Sequence, residues 1–115
     1  MTTVRNLTPH AVTLVGQDRS VRLFPHGAVP RVAEKPERSS AIMVDQLHVP
    51  LHDIRVGSVF DLPDPEDDVV LMVPRVVAAA CPGRADLVVP FDEVRDSAGR
   101  VIGCRALARL LPLER

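Results

Sequence analysis

Residues 69–90 read VVLMVPRVVAAACPGRADLVVP, and this stretch decides what kind of fold the chain can form. It opens on an uninterrupted apolar run at residues 69–73, which is typical of a strand buried on both faces. Pro74 then suits the first position of a helix, because its dihedral is preset and its missing N–H is not needed there. The stretch therefore predicts a buried strand, a short helix over residues 75–81 that stops at Pro82-Gly83, and another strand at residues 86–90.

The predicted helix has barely two turns, and a helix that short is marginal in isolation. We therefore expect Val76, Val77 and Ala80 to hold it by packing on a sheet. No other window favours a helix as well, because eleven prolines are spread along the chain and each removes a backbone donor and obstructs the preceding turn. Helix content is predicted to be low.

Short segments rich in Val, Ile and Leu lie between the turn residues and predict strands. Those before the buried run are residues 10–15, 20–24, 28–32, 41–45 and 54–60, of which the first two form an amino-terminal hairpin. The segments 34–40 and 62–68 are predicted to be charged surface loops. Residues 95–105 predict a closing hairpin that turns over residues 97–99. The tail, 106–113, fits either a last turn of helix or an apolar edge for a partner.

The length of 115 residues predicts one domain spanning residues 1–115. Hydrophobic residues make up 46% of the chain and aromatic residues only 3%, so the core must be aliphatic. Together with the strand pattern, this composition predicts a mainly β fold, a small antiparallel barrel or sandwich with one short α-helix.

The formal net charge is −1, so the whole molecule has no field that would draw it to nucleic acid or to an anionic membrane. The scarcity of aromatic side chains also argues against base-stacking platforms, and we expect no sequence-specific nucleic-acid partner. Because no long apolar run or secretion signal is found, we expect a cytoplasmic protein with no membrane association. In that compartment Cys81 and Cys104 fit buried thiols better than a disulfide, although a bridge between them stays open.

Motifs for metal binding and catalysis are missing from the sequence. His48 and His52 have the spacing of a helical metal pair, but Pro50 between them breaks the helix that such a pair needs. Cys81 lies at the carboxyl end of its predicted helix, where the helix dipole disfavours a thiolate. With no nucleophile elbow and no phosphate loop either, we assign no catalytic residue, no metal ligand and no cofactor.

The closing hairpin offers the first candidate ligand-binding residues, Arg95, Arg100 and Arg105. One interpretation is structural, since acidic side chains such as Glu93 or Asp96 can form cross-strand charge pairs with them. The other interpretation is functional, because a guanidinium left free can hold phosphate or carboxylate through two parallel hydrogen bonds. The functional interpretation predicts an anionic small molecule or an acidic protein surface as the partner.

Asn6, Thr8 and His10 form the second candidate set. In an extended segment they point to one side and would present a polar row to a ligand. The alternative for His10 is structural, with its ring hydrogen-bonded to a neighbouring backbone carbonyl.

Two stretches carry a family resemblance, the opening NLTPHAV at residues 6–12 and the closing VRDSAGRVIGCRAL at residues 94–107. Together they resemble a group of small uncharacterised proteins found in bacteriophages, prophages and actinobacteria. The parts between them follow a similar order, with a Pro-x-Gly turn at residues 25–27 and a Gly-x-x-x-x-Leu-Pro segment at residues 57–63. The chain departs from that pattern at His26 and Pro74, where a serine is commoner.

Taken together, the sequence predicts a non-enzymatic binding protein, and exposed edges of a short sheet further predict a homo-oligomer. The resemblance implies a phage-type accessory or anti-defence protein that sequesters an anionic ligand such as a nucleotide signal. Two alternatives stay open. One is a small hydrolase using His10 with Asp92 or Asp96, and the other is a structural part of an assembly.

Overall fold

The computed structural model describes residues 1–113. Its elements, in chain order, are β1 (Thr3–Asn6), β2 (Val12–Val15), β3 (Ser20–Leu23), β4 (Arg31–Val44), β5 (Leu47–Phe60), β6 (Val69–Met72), α1 (Arg75–Ala80), β7 (Leu87–Arg95) and β8 (Val101–Ala108). Strands account for 55% of the chain and helix for 5%, with a nearly closed, barrel-like sheet. The predicted class, mainly β with one short helix, is confirmed.

Six strands form the barrel-like sheet in the order β1-β6-β7-β8-β2-β3. The hairpins β2–β3 and β7–β8 are antiparallel, as the sequence predicts. The pairings β1–β6, β6–β7 and β2–β8 are parallel, so the sheet is mixed. The parallel β6–β7 pair follows from α1, because a helix between two strands allows the chain to return and enter the sheet in the same direction.

The core lies around β6, α1 and β7. Leu71, Val73, Val77 and Leu87 are at most 3% exposed and belong to one apolar cluster. The prediction that the apolar run forms a buried strand is therefore confirmed. Of the three side chains expected to pack α1 on the sheet, Val77 is buried but Val76 is 59% exposed and Ala80 is also exposed.

The short helix explains that difference. It has six residues, so a single narrow stripe can face the sheet, and this stripe carries Val77 and Ala78. Pro74 stands just before the first helical residue with an extended ψ of 145°, and makes no side-chain cap. It therefore acts at the N-cap rather than at the first helical position that the sequence suggests.

The remaining two strands, β4 and β5, form a separate antiparallel ribbon, which we call the arm. The predicted surface loop at residues 34–40 is wrong, because these residues lie within β4 and pair with β5. Pro36 is tolerated there because each strand of a two-stranded ribbon has one edge without a partner. At the tip, Asp45 and Gln46 have φ of 47° and 69°, the two positive angles of a type I′ hairpin turn.

For the tail, 106–113, the sequence left open a turn of helix or an apolar edge. Neither describes its first residues, because β8 runs on to Ala108 and pairs there with β7. Cys81 is half-buried and Cys104 buried, and both are free thiols. Within residues 1–113 no helix has the length and apolar character needed to cross a membrane.

Candidate functional site

The closing hairpin is built around Asp96. Its carboxylate accepts the backbone N–H groups of Ala98 at 2.9 Å and Arg100 at 3.0 Å, and its own N–H donates to the Arg100 carbonyl at 2.9 Å. Gly99 has a φ of +83°, which favours glycine, and completes the turn. The hairpin that the sequence predicts is therefore confirmed, with Asp96 as the residue that shapes it.

Each of the three hairpin arginines lies beside a carboxylate. The pairs are Arg95–Glu93 at 2.9 Å, Arg100–Asp96 at 3.5 Å and Arg105–Asp92 at 3.9 Å. All three guanidinium side chains are more than half exposed, so each ion pair contributes about 1 kcal/mol at most. Of the three, only the Arg95–Glu93 pair is a hydrogen bond, and a carboxylate near each arginine competes with any anion that reaches this surface. Ligand binding here stays a prediction.

Asn6 is the most completely bonded polar side chain of the predicted set. It is 1% exposed. Its Nδ2 donates to the carbonyls of His10 at 2.8 Å and Leu23 at 3.0 Å, and its Oδ1 accepts the Thr8 N–H at 2.9 Å. This orientation of the amide is fixed, because only Oδ1 can accept a backbone N–H and only Nδ2 can donate to two carbonyls.

Thr8 and His10 do not continue a polar row from Asn6. The Thr8 hydroxyl is half-buried, 2.6 Å from Asn6 Oδ1 and 3.0 Å from the His10 carbonyl oxygen. The His10 side chain is exposed, and it is the backbone carbonyl of His10, not its ring, that takes part in the network. The structure thus brings the three residues together as a turn that joins β1 to β2, with Asn6 at its centre.

The Asn6 network lies at one end of the seam between β1 and β3, the two strands at the ends of the six-stranded sheet. Asn6 pairs with Pro25 in a single parallel bridge, and the Asn6 carbonyl accepts the His26 N–H at 2.7 Å. Beyond this point no ladder joins β1 to β3 within the described residues. The barrel is therefore closed at the Asn6 end of the seam and open towards the start of β1.

A cleft of about 280 Å³ occupies this open seam, and we call it the seam cleft. It is lined by Thr3, Val4, Arg5, Asn6, Arg22, Leu23, Phe24 and His26. The Arg22 guanidinium carbon stands 5.5 Å above the centre of the Phe24 ring, and that ring is 67% exposed. The cleft thus combines cations, an imidazole and an aromatic face with the unpaired edges of two strands.

The two arginines of the seam cleft differ in their partners. The Arg5 guanidinium lies 3.0 Å from the carboxylate of Glu66, which belongs to the charged loop at residues 62–68. Among residues 1–113, Arg22 has no carboxylate within salt-bridge distance, and its contact is the stacking on Phe24. Within that part of the chain, the guanidinium N–H groups of Arg22 also make no hydrogen bond, so they can serve a ligand.

Reasoning from sequence missed Arg5, Arg22 and Phe24, and the resemblance pointed away from His26. Arg5 and Arg22 lie on strands that are distant in sequence, and only the barrel brings their strands side by side. A local signal does exist in the alternation of Arg22 and Phe24, which places a cation and an aromatic ring on the same side of one segment.

A second cleft, of about 240 Å³, lies over the joint between β2 and β8. That joint has one paired position, Leu14 with Cys104, and the cleft is lined mainly by apolar residues. Its one charged lining residue is the acidic Glu93, so it does not suit an anion.

Within residues 1–113, His48 and His52 are not placed to share a metal ion. His48 and His52 both lie on β5, opposite Met43 and Arg38, and strand geometry separates residues four apart by about 13 Å. Within residues 1–113, no three His, Cys, Asp or Glu side chains come together as metal ligands.

The hydrolase alternative receives no geometric support from the described part of the chain. The carboxylate of Asp96 is hydrogen-bonded within its own turn and Asp92 faces Arg105, while the His10 ring makes no hydrogen bond to either of them.

Comparisons with protein-family models, with curated proteins and with solved structures give no match to this chain.

Proposed function

We propose that this chain is a non-enzymatic binding protein that holds a small anionic ligand, such as a nucleotide signal, in the seam cleft. The observation that carries the proposal is the meeting of Arg5, Arg22 and His26 with the exposed Phe24 ring at a cleft with open strand edges.

The chemistry of the cleft suits a phosphate attached to a planar group. A guanidinium offers parallel N–H donors that match two phosphate oxygens, which makes Arg22 the principal anion contact. Arg22 covers one face of the exposed Phe24 ring, so a base would stack on the other face, and such stacking is worth about 1–3 kcal/mol. A ligand with both features gains from both residues at once.

Size and charge narrow the ligand class further. At about 280 Å³, the cleft is near the small end of ligand sites, so it fits a mononucleotide or one half of a dinucleotide. Binding at Arg5 has to compete with Glu66, whose side chain is 58% exposed and can turn into solvent. We therefore assign Arg22 a larger share of the affinity than Arg5.

The biological role that we propose for this ligand binding rests on the family resemblance alone. A phage-type accessory protein that sequesters a nucleotide signal, or that blocks a host defence component, needs tight binding and no turnover. This step is an analogy, and the seam cleft supplies a site at which it can be tested.

Calorimetric titration with inorganic phosphate, nucleoside monophosphates and cyclic dinucleotides tests the proposal, with the nucleotides recovered afterwards and checked for cleavage. We expect at least one nucleotide to bind and to be recovered intact. Arg22→Ala and Phe24→Ala should each weaken that binding by about tenfold or more. Cleavage of a nucleotide, or binding unchanged in both variants, would contradict the proposal.

The matched control is the double variant Arg95→Ala with Arg100→Ala, which removes two cations from the closing hairpin. If the seam cleft is the site, this variant binds as well as the original chain and its melting temperature changes little. Loss of binding here, with binding kept in Arg22→Ala, would instead assign the ligand to the hairpin.

A structural role in an assembly is the second candidate function, and the arm favours it. This alternative expects stable oligomers and no small-molecule ligand in the same titrations.

A further inference from the structure

The arm exposes apolar side chains that an isolated ribbon has no means to cover. Paired residues of an antiparallel ribbon share a face, as do residues two apart on one strand. The pairs Val44–Leu47 and Ile42–Val49, together with Leu51, therefore lie on a single face, which we call the tip face. Four of the five are exposed, with Leu47 at 64%, Ile42 and Val44 at 48% each and Leu51 at 43%, while Val49 is half-buried.

The tip face has a sharp boundary. Two residues beyond Leu51 the same side of the ribbon carries Asp53, opposite Glu37, and then Arg55, opposite Lys35. Arg55 and Lys35 both lie within 4 Å of Glu37. An uncharged apolar centre with a charged border is the usual anatomy of a protein interface.

The opposite face of the arm is also unusual for a surface in contact with water. Met43, Ile54 and Val56 are each 58–65% exposed there. Near the base of the arm, Val56 borders a mostly apolar groove of about 330 Å³ that is shared with Val76 and Ala79 of α1. A two-stranded ribbon alone in water is marginally stable, so a ribbon this long needs a covering partner on at least one face.

The accessible surface area of the chain is larger than that of a compact monomer. The accessible surface is 8737 Å², whereas a compact monomer of this mass exposes about 6,200 Å². The radius of gyration is 17.9 Å, against about 13 Å for a compact chain of this length. The surplus of roughly 2,500 Å² exceeds the roughly 800 Å² that each partner buries in a stable interface.

We propose that the arm is a self-association element, and that a second copy of this chain packs its own tip face against this one. A two-fold pair of copies needs a patch that is complementary to itself, and an uncharged apolar face meets that condition because like side chains pack on one another. Stacking two such faces buries ten aliphatic side chains, five from each copy, and leaves the charged borders in water. The inference is independent of the seam cleft, which contains no residue of the arm.

Sedimentation velocity and light scattering of the full chain over a wide concentration range test this proposal. We expect a species of at least twice the 12.5 kDa chain mass. The test variant is Ile42→Glu with Val49→Lys, which places a charge pair at the centre of the tip face. Because these residues are directly opposite, the new pair supports the hairpin while it opposes burial. The dissociation constant of the dimer should rise more than about a hundredfold.

The control variant carries the same two charged residues outside the arm, as Phe91→Glu with Ala106→Lys. This pair lies directly opposite on β7 and β8, and Phe91 is 57% exposed. It should associate as the original chain does. A chain that stays monomeric at every concentration would overturn the proposal, and so would a test variant that associates as the original chain does. Binding of the monomer to added lipid vesicles or nucleic acid would then assign the tip face to that partner instead.

Hydrogen exchange of the unmodified chain supplies a readout that does not depend on any variant folding. Backbone amides at residues 40–51 should be protected at concentrations where the dimer forms and should lose that protection on dilution. Rapid exchange of these amides at all concentrations would overturn the proposal.

Discussion

Replacing Asn6 with alanine is expected to destabilise the folded chain by about 3 kcal/mol. The substitution removes three hydrogen bonds in which the partner is a backbone group, and each is worth about 1 kcal/mol net. At about 2.1 cal/mol/K of unfolding entropy per residue, that loss lowers the melting temperature by about 12 °C. The affected carbonyls and N–H lie at the closed end of the seam, so the variant should also bind a ligand of the seam cleft more weakly.

Asn6→Asp sharpens the same prediction, because it keeps the shape of the side chain and changes only one group. An ionised carboxylate would turn one oxygen towards the carbonyls of His10 and Leu23, which have no proton to donate. The buried acid therefore has a raised pKa in the folded chain. Its penalty is fully present above that raised pKa, and it declines as the pH falls and the acid becomes protonated.

Thermal unfolding followed by circular dichroism at neutral and at mildly acidic pH measures both effects. Gln17→Ala is the control, since Gln17 is an exposed amide in a turn and its loss should shift the melting temperature little. A cost below about 1 kcal/mol for Asn6→Ala would contradict a stabilising role of the Asn6 network. So would an Asn6→Asp variant that is no more stable, relative to the original chain, in acid than at neutral pH.

Three further predictions concern other parts of the chain. The Arg84 guanidinium holds the pKa of Asp86 below its usual value through paired hydrogen bonds of 2.8 Å. The stability that this pair contributes is present at neutral pH and is lost as the pH falls through the lowered pKa. Chemical denaturation over this pH range should show that Asp86→Asn has lost the pH dependence. Gly103→Ala should lower the free energy of unfolding by about 1–3 kcal/mol in the same assay, because the new Cβ would lie 2.8 Å from the Thr13 carbonyl oxygen. A smaller loss would mean that β2 and β8 separate easily. Replacing the tip residues 45–46 with Asn-Gly should raise the melting temperature, because both positions have positive φ, and an unchanged value would show that the turn is not limiting.

The sequence predicts the strands that carry a clear apolar pattern. The run at residues 69–73 indicates β6 because both of its faces are buried, and the turn residues around Gly99 indicate the β7–β8 hairpin. The arm could not be predicted in the same way. Both of its faces are exposed along residues 34–40, so no burial selects for an apolar alternation, and charges with Pro36 gave the pattern of a loop.

The candidate site was less predictable than the fold, because it depends on long-range neighbours. β1 has four residues and one strongly apolar side chain, Val4, so only its pairing with β6 shows that it is a strand. The seam cleft exists because β1 and β3 meet at the ends of the sheet order. Asn6 was recognised as important from its sequence context, but local spacing gives no means to tell a buried, fully bonded amide from one that faces a ligand.

The order of pairing along the chain also sets the order in which the molecule can fold. The arm is a local hairpin, and hairpins form in about 1–10 μs once their residues are available. The pairing of β1 with β6 and that of β2 with β8 cannot form until the arm has been synthesised, because β6 and β8 follow the arm in the chain. Non-local parallel pairing of this kind folds slowly. All residues of the arm are therefore available before the barrel can close, and the proposed pairing of tip faces between two copies would stabilise the arm at that stage.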